Sequence, residues 1–408
     1  MDDSSSSKAT FSGSPATGRI KLPAGGKLRW NFRVLIALII TLGIAAISIL
    51  REQGPSMLRP GLHLFAYVAN TADGTLTAVD LVKLSSVATI PVGPSPSGVR
   101  AHPKRDEIWG VSTAGGYVWV LDTRLGRVVA RIPVGAEPYA LDFSPDGARA
   151  YVAASGADSV VAIDCASRRI VARGRAGRRP WIAKVTPDGK MVVVTNRDDG
   201  TVSLLDATTM APIATVPVVA EPEQIAILAD DTKAYVSSAT TKQISVVDLQ
   251  KRALTANLEL DGTAGDFVVN PGSGELYIPS PDTHGLIIVS TWANEVSDYV
   301  LAGSAPARAI LSPDGQILYL ADPAANHVAA IQIAFRQVLQ HPVMTGQEPT
   351  TMAFTPVGDT LLVVDAGSDD VAVIRTVGCS QAQGASSACL TTLIPVGHAP
   401  RDIAVKLF

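Results

Sequence analysis

The sequence repeats itself with a period of 42 residues, and this regularity limits what the chain can fold into. One position of a short apolar run recurs at Tyr67, Trp109, Tyr151, Val193, Tyr235, Tyr277 and Tyr319, with an eighth copy one residue late at Leu362. A fixed period in this range indicates supersecondary units that stack on their neighbours. A repeat array of this kind fills 408 residues without dividing into separate domains.

Turn residues follow the same period. The motif Ser-Pro-Asp-Gly stands at 144–147 and 312–315, with Thr-Pro-Asp-Gly at 186–189. Proline presets φ and glycine tolerates positive φ, so each copy predicts a tight turn between two strands. A second proline, in the pattern Gly-x-x-Pro, recurs at Pro96, Pro138, Pro180, Pro306, Pro349 and Pro400, and at Pro222 with Val219 in place of the glycine.

Four short apolar runs lie between these markers in each repeat, and helical spacing is absent. In one copy they read ALDFS, ARAYVAA, SVVAID and RIVARG. Four strands in 40–50 residues are typical of a β-propeller blade. Strands packed between neighbouring blades are buried on both faces, which explains the continuous apolar runs. We therefore predict an all-β fold, an eight-bladed β-propeller over residues 64–408, with seven blades as the alternative count.

The two ends of the repeat region complete each other. The region opens at the second strand of a blade, residues 66–70, and ends with a first strand, residues 401–408. Pairing these strands makes one composite blade from both termini and hides open strand edges.

A separate segment precedes the repeats. Residues 1–31 are predicted to form a disordered cytoplasmic tail, and residues 32–50 carry a single charge, Arg33, and match the length of a transmembrane helix. All basic residues of the first fifty precede the apolar run, which keeps the N-terminus in the cytoplasm. With residues 51–63 as a linker, we expect a single-pass membrane protein whose propeller lies in the periplasm or outside the cell. A cleaved signal peptide is the alternative, and it gives the same side.

Charge argues against a nucleic-acid partner. The first fifty residues carry a net charge of +4, whereas the rest hold 28 basic and 35 acidic side chains. An acidic propeller lacks the basic surface that phosphate backbones require. We expect a monomeric propeller whose partners are the membrane, through residues 32–50, and a protein or small-molecule ligand.

Motifs within two copies resemble a known family. The runs YVAN (67–70) and VVTN (193–196), followed by TLTAVD (75–80) and TVSLLD (201–206), are similar to those of YVTN-repeat β-propellers. The resemblance implies a propeller, with lactonase-like enzymes and the haem-carrying propeller of cytochrome-type nitrite reductases in the wider superfamily. No residue motif carries a cofactor across, so we predict no cofactor.

The sequence shows no catalytic motif, which favours a binding module over an enzyme. Covalent haem attachment, nucleophile-elbow and zinc-helix patterns are all missing, and the six histidines occupy different repeat positions. We predict no metal site. Cys379 and Cys389 flank a Gly/Ser-rich insertion and are predicted to form a disulfide outside the cytoplasm, while Cys165 is expected to be a free structural residue.

The loops around the Gly-x-x-Pro prolines are the candidate binding surface. In a propeller they lie at the mouth of the central channel, and loops on a rigid scaffold commonly carry binding residues. Charge and aromatic side chains concentrate there, at Glu137, Tyr139, Arg179, Trp181, Glu221, Glu223, Asp266, Arg308, Glu348, His398, Arg401 and Asp402. The predicted function is a ligand- or protein-binding scaffold. The alternatives are a lactonase-like hydrolase and a propeller that handles haem or quinone cofactors.

Overall fold

The computed structural model describes residues 63–339, 341–377 and 389–408. This part of the chain forms 33 strands and two three-residue 3-10 helices, Ser155–Ala157 and Ile333–Phe335. No helix within it has the length and apolar character needed to cross a membrane. The predicted tail (1–31), the predicted span (32–50), the linker up to residue 62 and Cys379 lie outside the described residues.

The strands in the first half of the chain are six or seven residues long. They are β1 (Leu64–Asn70), β2 (Thr75–Asp80), β3 (Ser85–Pro91), β4 (Pro96–Ala101), β5 (Glu107–Ser112), β6 (Tyr117–Asp122), β7 (Arg127–Pro133), β8 (Pro138–Phe143), β9 (Arg149–Ala154), β10 (Ser159–Asp164), β11 (Arg169–Arg175), β12 (Pro180–Val185), β13 (Met191–Asn196), β14 (Thr201–Asp206) and β15 (Pro212–Pro217).

The second half continues the pattern, with shorter strands in places. They are β16 (Pro222–Ile227), β17 (Lys233–Ser238), β18 (Gln243–Asp248), β19 (Ala253–Glu259), β20 (Val268–Asn270), β21 (Glu275–Ser280), β22 (Gly285–Ser290), β23 (Glu295–Leu301), β24 (Arg308–Leu311), β25 (Ile317–Asp322), β26 (His327–Gln332), β27 (Gln337–Val338), β28 (Val343–Met344), β29 (Pro349–Phe354), β30 (Thr360–Asp365), β31 (Asp370–Arg375), β32 (Leu390–Pro395) and β33 (Pro400–Leu407).

These strands form eight antiparallel sheets, the blades of a propeller. Blade 1 is composite, with the order β33-β1-β2-β3, and blades 2 to 8 begin at β4, β8, β12, β16, β20, β24 and β29. Blade 7 has its outer strand in two pieces, because β27 and β28 both pair with β26.

The blades close into a ring. Each innermost strand contacts the innermost strand of the next blade, from β33 through β4 and onward to β29, which contacts β33 again. The last strand, β33, pairs antiparallel with β1 and sets Ala404 opposite Tyr67. The predicted eight-bladed propeller, closed by the two ends of the repeat region, is confirmed for the described residues.

The core lies between blades. Tyr151 of blade 3, for example, packs with Ala183, Val192 and Leu205 of blade 4 in one buried cluster. Because each sheet is covered on both faces, its middle strands are buried along nearly their whole length. This burial is the reason for the continuous apolar runs in the sequence.

Side chains at strand ends order the turns. Asp80, at the end of β2, accepts hydrogen bonds from the backbone N–H groups of Val82 and Lys83 through Oδ1, at 2.9 and 3.0 Å. In the Ser-Pro-Asp-Gly turn, Ser144 Oγ donates to Asp146 at 2.6 Å, and Gly147 adopts a φ of 69°. Both arrangements satisfy backbone groups locally, as the repeat pattern predicts.

Successive connections lie at opposite ends of the blades because neighbouring strands are antiparallel. Loops from an outer strand to the next inner strand, together with turns between second and third strands, form one end, which we call the mouth face. Turns between first and second strands, and between third and outer strands, form the other end, which we call the base face.

Candidate functional site

The mouth face opens into a central cavity of about 690 Å³. Blades from both sides of the ring contribute to its wall, so the cavity lies on the channel axis. Its charged and aromatic lining residues are Arg100, Tyr139, Asp266, Arg308, Glu348, Arg401 and Asp402. Six of these seven are among the residues predicted from the sequence, and Arg100 is the addition.

Two ion pairs bridge neighbouring blades at this wall. Asp402 of blade 1 accepts a hydrogen bond from the backbone N–H of Val99 in blade 2 at 2.7 Å, and its Oδ2 lies 3.5 Å from Arg100 Nη1. Arg308 of blade 7 pairs with Asp266, which precedes β20 in blade 6. The two pairs therefore link blade 1 to blade 2 and blade 6 to blade 7 where the cavity opens.

Arg308 shows how closely groups from different blades converge. Burial lowers the pKa of its guanidinium, and the charges of Asp402 and Glu223 oppose that shift. Arg100, from the far side of the channel, acts in the same direction as burial. A guanidinium keeps its charge at any physiological pH, so the site holds a cation with a reduced share of solvent.

Lys184 is a second enclosed cation, and sequence reasoning missed it. It lies two residues beyond the cavity-lining Ile182 on β12. Water reaches its surface, yet protein surrounds the amine closely enough that burial lowers its pKa; nearby Asp142 opposes the shift and Arg100 adds to it. A side chain inside a narrow channel can be in contact with water and also closely surrounded by protein. Among the described residues Lys184 has no ion pair and no hydrogen-bond partner.

The repeat pattern of the sequence contains the information that would have identified Lys184. Arg100, Asp142 and Lys184 are 42 residues apart, and each is directly opposite the repeat position of the second strand, as in Arg100↔Trp109. The same position holds Ala226, Val268, Ile310, Ala353 and Ala404 in the other five blades. Charge is therefore confined to three consecutive blades, and an apolar wall completes the circle.

Aromatic side chains flank the charged region. Tyr139 lines the cavity and stacks on Trp181, with ring centroids 3.9 Å apart and planes inclined by 21°. The guanidinium of Arg197 covers Trp181 at 4.5 Å from the ring centroid. This three-layer stack holds Tyr139 in place at the rim.

Arg179 and Glu221 lie elsewhere. They line a separate crevice of about 670 Å³ on the mouth face, together with Arg197, Asp198 and Asp199. The residue before each Gly-x-x-Pro proline takes a left-handed backbone conformation, with φ of 51° at Glu137, 52° at Arg179, 44° at Glu221 and 54° at Glu348. This position has a turn-forming role, and only Glu348 of the four also lines the central cavity.

His398 is exposed on the rim of the mouth face and does not line the cavity. Its Nδ1 lies 2.7 Å from Asp369 of blade 8, and its backbone N–H donates to Asp73 of blade 1 at 2.7 Å. The hydrogen bond to Asp369 raises the pKa of the imidazole, with the charges of Asp73 and Asp369 acting in the same direction. His398 therefore links the last blade to the composite blade.

Cysteines and metal ligands add no further site. Cys165 is free and buried, as expected, and burial raises the pKa of its thiol to about 12. Cys389 is buried in the core between blades 7 and 8. Its predicted partner, Cys379, falls outside the described residues, so the disulfide remains a prediction. Within those residues no group of three or more His, Cys, Asp or Glu side chains is placed to hold a metal ion.

Comparisons with known proteins agree with the fold. The family model "Choice-of-anchor I domain" matches residues 68–261, a little under half of the chain. No curated protein matches the sequence. The YVTN-repeat resemblance rests on the sequence motifs alone.

Solved structures share the architecture at low sequence identity. A dihydro-haem d1 dehydrogenase, NirN, in complex with DHE aligns with a TM-score of 0.70 and 16% identity, over 83% of this chain and 74% of that one. Hydrazine synthase from Kuenenia stuttgartiensis has a TM-score of 0.56 and 19% identity, over 69% and 96%. A functionally unknown protein from Desulfotomaculum acetoxidans has a TM-score of 0.57 and 12% identity, over 84% and 98%. At these identities the likeness concerns the fold alone, and the chain is similar to these proteins as a β-propeller.

Proposed function

We propose that this chain is a membrane-tethered, extracytoplasmic propeller that binds a small acidic ligand in the mouth of its channel. The observation that carries the proposal is Lys184, whose side chain has no ion pair among the described residues and whose pKa is lowered by burial, on the same strand as Ile182, which lines the cavity of about 690 Å³. A partly desolvated cation without an ion pair is unfavourable, and an anion that reaches it relieves that cost.

The cavity wall supports an acidic ligand in a second way. Arg401 is exposed at the mouth and forms no ion pair with a described residue, whereas Arg100 and Arg308 each face a carboxylate. A carboxylate or phosphate entering between Arg401 and Lys184 gains charge-assisted hydrogen bonds. Tyr139, fixed by its stack on Trp181, offers a flat apolar contact for the body of the ligand.

A carboxylate-bearing tetrapyrrole is one ligand of this class. NirN, whose fold is similar, is described in complex with DHE. The lining of the cavity in this chain includes Tyr139 and Met352 but no histidine or cysteine. We therefore propose that recognition here relies on acidic groups and ring stacking, without a histidine or cysteine ligand to iron.

Calorimetric titration of the purified full chain in detergent tests the proposal. The probes are citrate, isophthalate and a metal-free dicarboxylic porphyrin, and the variants are Lys184→Gln and Arg401→Gln. Each variant is expected to weaken binding by about tenfold to a hundredfold, since one charge-assisted hydrogen bond contributes about 1.5–3 kcal/mol. Arg179→Gln, in the separate crevice, is the matched control and should bind as the parent does.

Two results contradict this function. One is the failure of every acidic probe to bind the parent protein. The other is equal binding by the parent, Lys184→Gln and Arg401→Gln, which would place the site away from the channel.

A further inference from the structure

The base face carries most of the exposed apolar side chains. Among the described residues, seven large hydrophobic side chains have at least 58% of their surface exposed, and Leu301 is the single one at the mouth end. The other six lie in base-face turns: Val82, Leu125, Trp292, Phe335, Val357 and Val377. Trp292 is 84% exposed and is the extreme case. Six of the seven most exposed large hydrophobic side chains therefore lie at the same end of the propeller.

These six residues occupy only part of the ring. They belong to blades 6, 7, 8, 1 and 2, which are consecutive around the ring. The equivalent turns of blades 3, 4 and 5 expose Ser167, Thr208 and Lys251 instead. We call the six residues the base-face arc. The repeat shows that polar residues fit these turns, so the apolar ones are not required by the fold.

The chain enters the propeller within this arc. Leu64 is the first residue of β1 and lies at its base end, where its carbonyl accepts a hydrogen bond from the N–H of Leu81 at 3.0 Å, next to Val82. His63 and Phe408 exchange backbone hydrogen bonds of 2.8 and 3.0 Å there, and their rings are 5.6 Å apart.

The sequence leaves a short tether at this point. Twelve residues, 51–62, separate the predicted span from His63. Even fully extended, twelve residues reach about 40 Å. A short tether gives the attached surface a high effective concentration at its anchor, so a weak contact becomes well populated.

Basic side chains accompany the arc. Lys83 follows Val82, Arg124 precedes Leu125 and Arg336 follows Phe335. Each is paired with a carboxylate of its own surface: Lys83–Asp80 at 3.0 Å, Arg124–Asp106 at 2.6 Å and Arg336–Glu275 at 2.6 Å. Exposed tryptophan and aliphatic side chains beside long basic ones are typical of surfaces at a lipid headgroup layer.

We propose that the base-face arc docks on the lipid surface of the membrane into which residues 32–50 insert. The inference rests on the proposed membrane tether and adds an orientation to it. With the base face on the lipid, the mouth face and its cavity point away from the membrane toward solution. Trp292, Phe335 and Val357 then enter the headgroup layer.

The fluorescence of Trp292 can report whether the base-face arc contacts lipid. The full chain is reconstituted in phosphatidylcholine/phosphatidylglycerol vesicles that contain nitroxide-labelled phospholipids, which quench tryptophan on contact. Trp109 and Trp119 are fully buried, and Trp30 and Trp181 are common to all variants, so the difference between the parent and Trp292→Gln isolates Trp292. We expect a clear loss of lipid quenching in Trp292→Gln.

A second variant tests the arc and leaves the probe in place. Phe335→Lys/Val357→Asp introduces the residues found at the equivalent positions Lys251 and Asp314, so the turns are preserved. It should reduce the quenching of Trp292 at least twofold. Leu301→Glu, which copies Glu259 at the mouth end, is the control and should leave quenching unchanged.

The outcomes separate the docking from the tether and from ligand binding. Equal quenching in the parent and Trp292→Gln, with the protein still bound to the vesicles, overturns the docking and leaves the tether intact. If the protein does not stay bound to the vesicles, both the docking and the membrane tether are contradicted. Self-association through Trp292 in detergent assigns the arc to a second copy of the chain. Calorimetric titration in detergent measures ligand binding at the mouth face independently of docking, tethering and self-association.

Discussion

Lys184 is the residue at which the stability of the fold and the proposed ligand binding would oppose each other. Protein encloses its amine, no described carboxylate pairs with it, and its pKa is lowered by burial. Residues that hold unfavourable electrostatics in a rigid scaffold are commonly the ones that contact a ligand.

Replacing Lys184 with methionine should stabilise the ligand-free protein. The change removes the partly desolvated charge and keeps the length of the side chain, so the free energy of unfolding should rise at pH 7, by about 0.5 kcal/mol at most because water reaches the amine and screens its charge. Because the folded state prefers the neutral amine, the parent protein should also gain stability as pH rises from the lowered pKa toward the ordinary value of 10.5. Urea denaturation at pH 7 and pH 10 measures both effects. A less stable Lys184→Met protein at pH 7 would contradict this account.

Glu107 is the corresponding buried anion, and it joins blades 2 and 3. Its Oε1 lies 2.7 Å from Arg168 Nη2, and its Oε2 accepts a hydrogen bond from Trp109 at 2.9 Å. Burial alone would raise the pKa of Glu107, but the bonds from Arg168 and Trp109 outweigh it and lower the pKa below 4.5.

Glu107→Gln is expected to lower the free energy of unfolding by about 2 kcal/mol at pH 7, because Arg168 loses its partner in a mostly buried setting. The stabilisation by Glu107 is present above the unfolded pKa and is lost as pH falls through its lowered folded pKa. The difference between parent and variant should therefore shrink on acidification. Glu295→Gln, on an exposed outer strand, is the control for both denaturation series.

At the scale of elements, the hairpin of β30 and β31 holds an unusual carboxyl pair. Asp365 and Asp370 face each other across the hairpin and are both buried. Burial, followed by the neighbouring Asp370 carboxyl, raises the pKa of Asp365 to about 8. In the previous blade the equivalent Asp322 faces His327, so the acidic pair is specific to blade 8.

This pair predicts a loss of stability between about pH 4 and pH 8. The folded state keeps the Asp365 proton over that range while the unfolded state releases it, so stability falls as pH rises. Asp370→Asn should flatten this dependence, with about 1–3 kcal/mol less loss than the parent between pH 5 and pH 8.5. Denaturation curves at the two pH values measure it. Parallel curves for parent and variant would show that the pair does not share a proton.

One kind of contact between neighbouring blades recurs around the ring. The Glu107–Arg168 pair joins blades 2 and 3, and Glu275–Arg336 joins blades 6 and 7 at the same sequence separation of 61 residues. Lys233 donates from blade 5 to Thr291 and Asn294 of blade 6 at 2.7 and 2.9 Å. The start of a second strand thus reaches the outer turn of the next blade, with charge chemistry that varies from one pair of blades to another.

At the scale of the whole molecule, the ring depends on β33. This strand supplies the inner edge of blade 1, where Ile403 and Ala404 are buried, and it contacts both β4 and β29. Removing it exposes an edge of β1 and two blade interfaces at once.

Deletion of residues 400–408 is expected to lower the free energy of unfolding by about 4 kcal/mol or more and to broaden the thermal transition, because blades of an open array unfold with less cooperativity. Calorimetry of the full chain and the truncated chain measures both quantities. Deletion of residues 2–18, within the predicted tail, is the control. An unchanged transition after loss of β33 would mean that closure does not hold the ring together.

The sequence by itself determined the repeat unit, the number of blades, the turn chemistry and the pairing of the two ends. These features are periodic or local: Pro145 and Gly147 act within their own turn, and Tyr151 recurs in register with Tyr67. Six of the seven charged and aromatic residues at the cavity could be named because loop position alone brings them to the mouth face.

Only the tertiary structure decided which of those side chains meet. Closing the ring brings Arg308 within the electrostatic influence of Glu223, Asp402 and Arg100, which are far apart in the chain. It also brings Lys184 near Asp142 and Arg100, and it places Arg179 and Glu221 in another crevice. Whether side chains from different blades meet at the channel depends on the direction in which each one points and on what surrounds it. The repeat pattern of the sequence specifies neither.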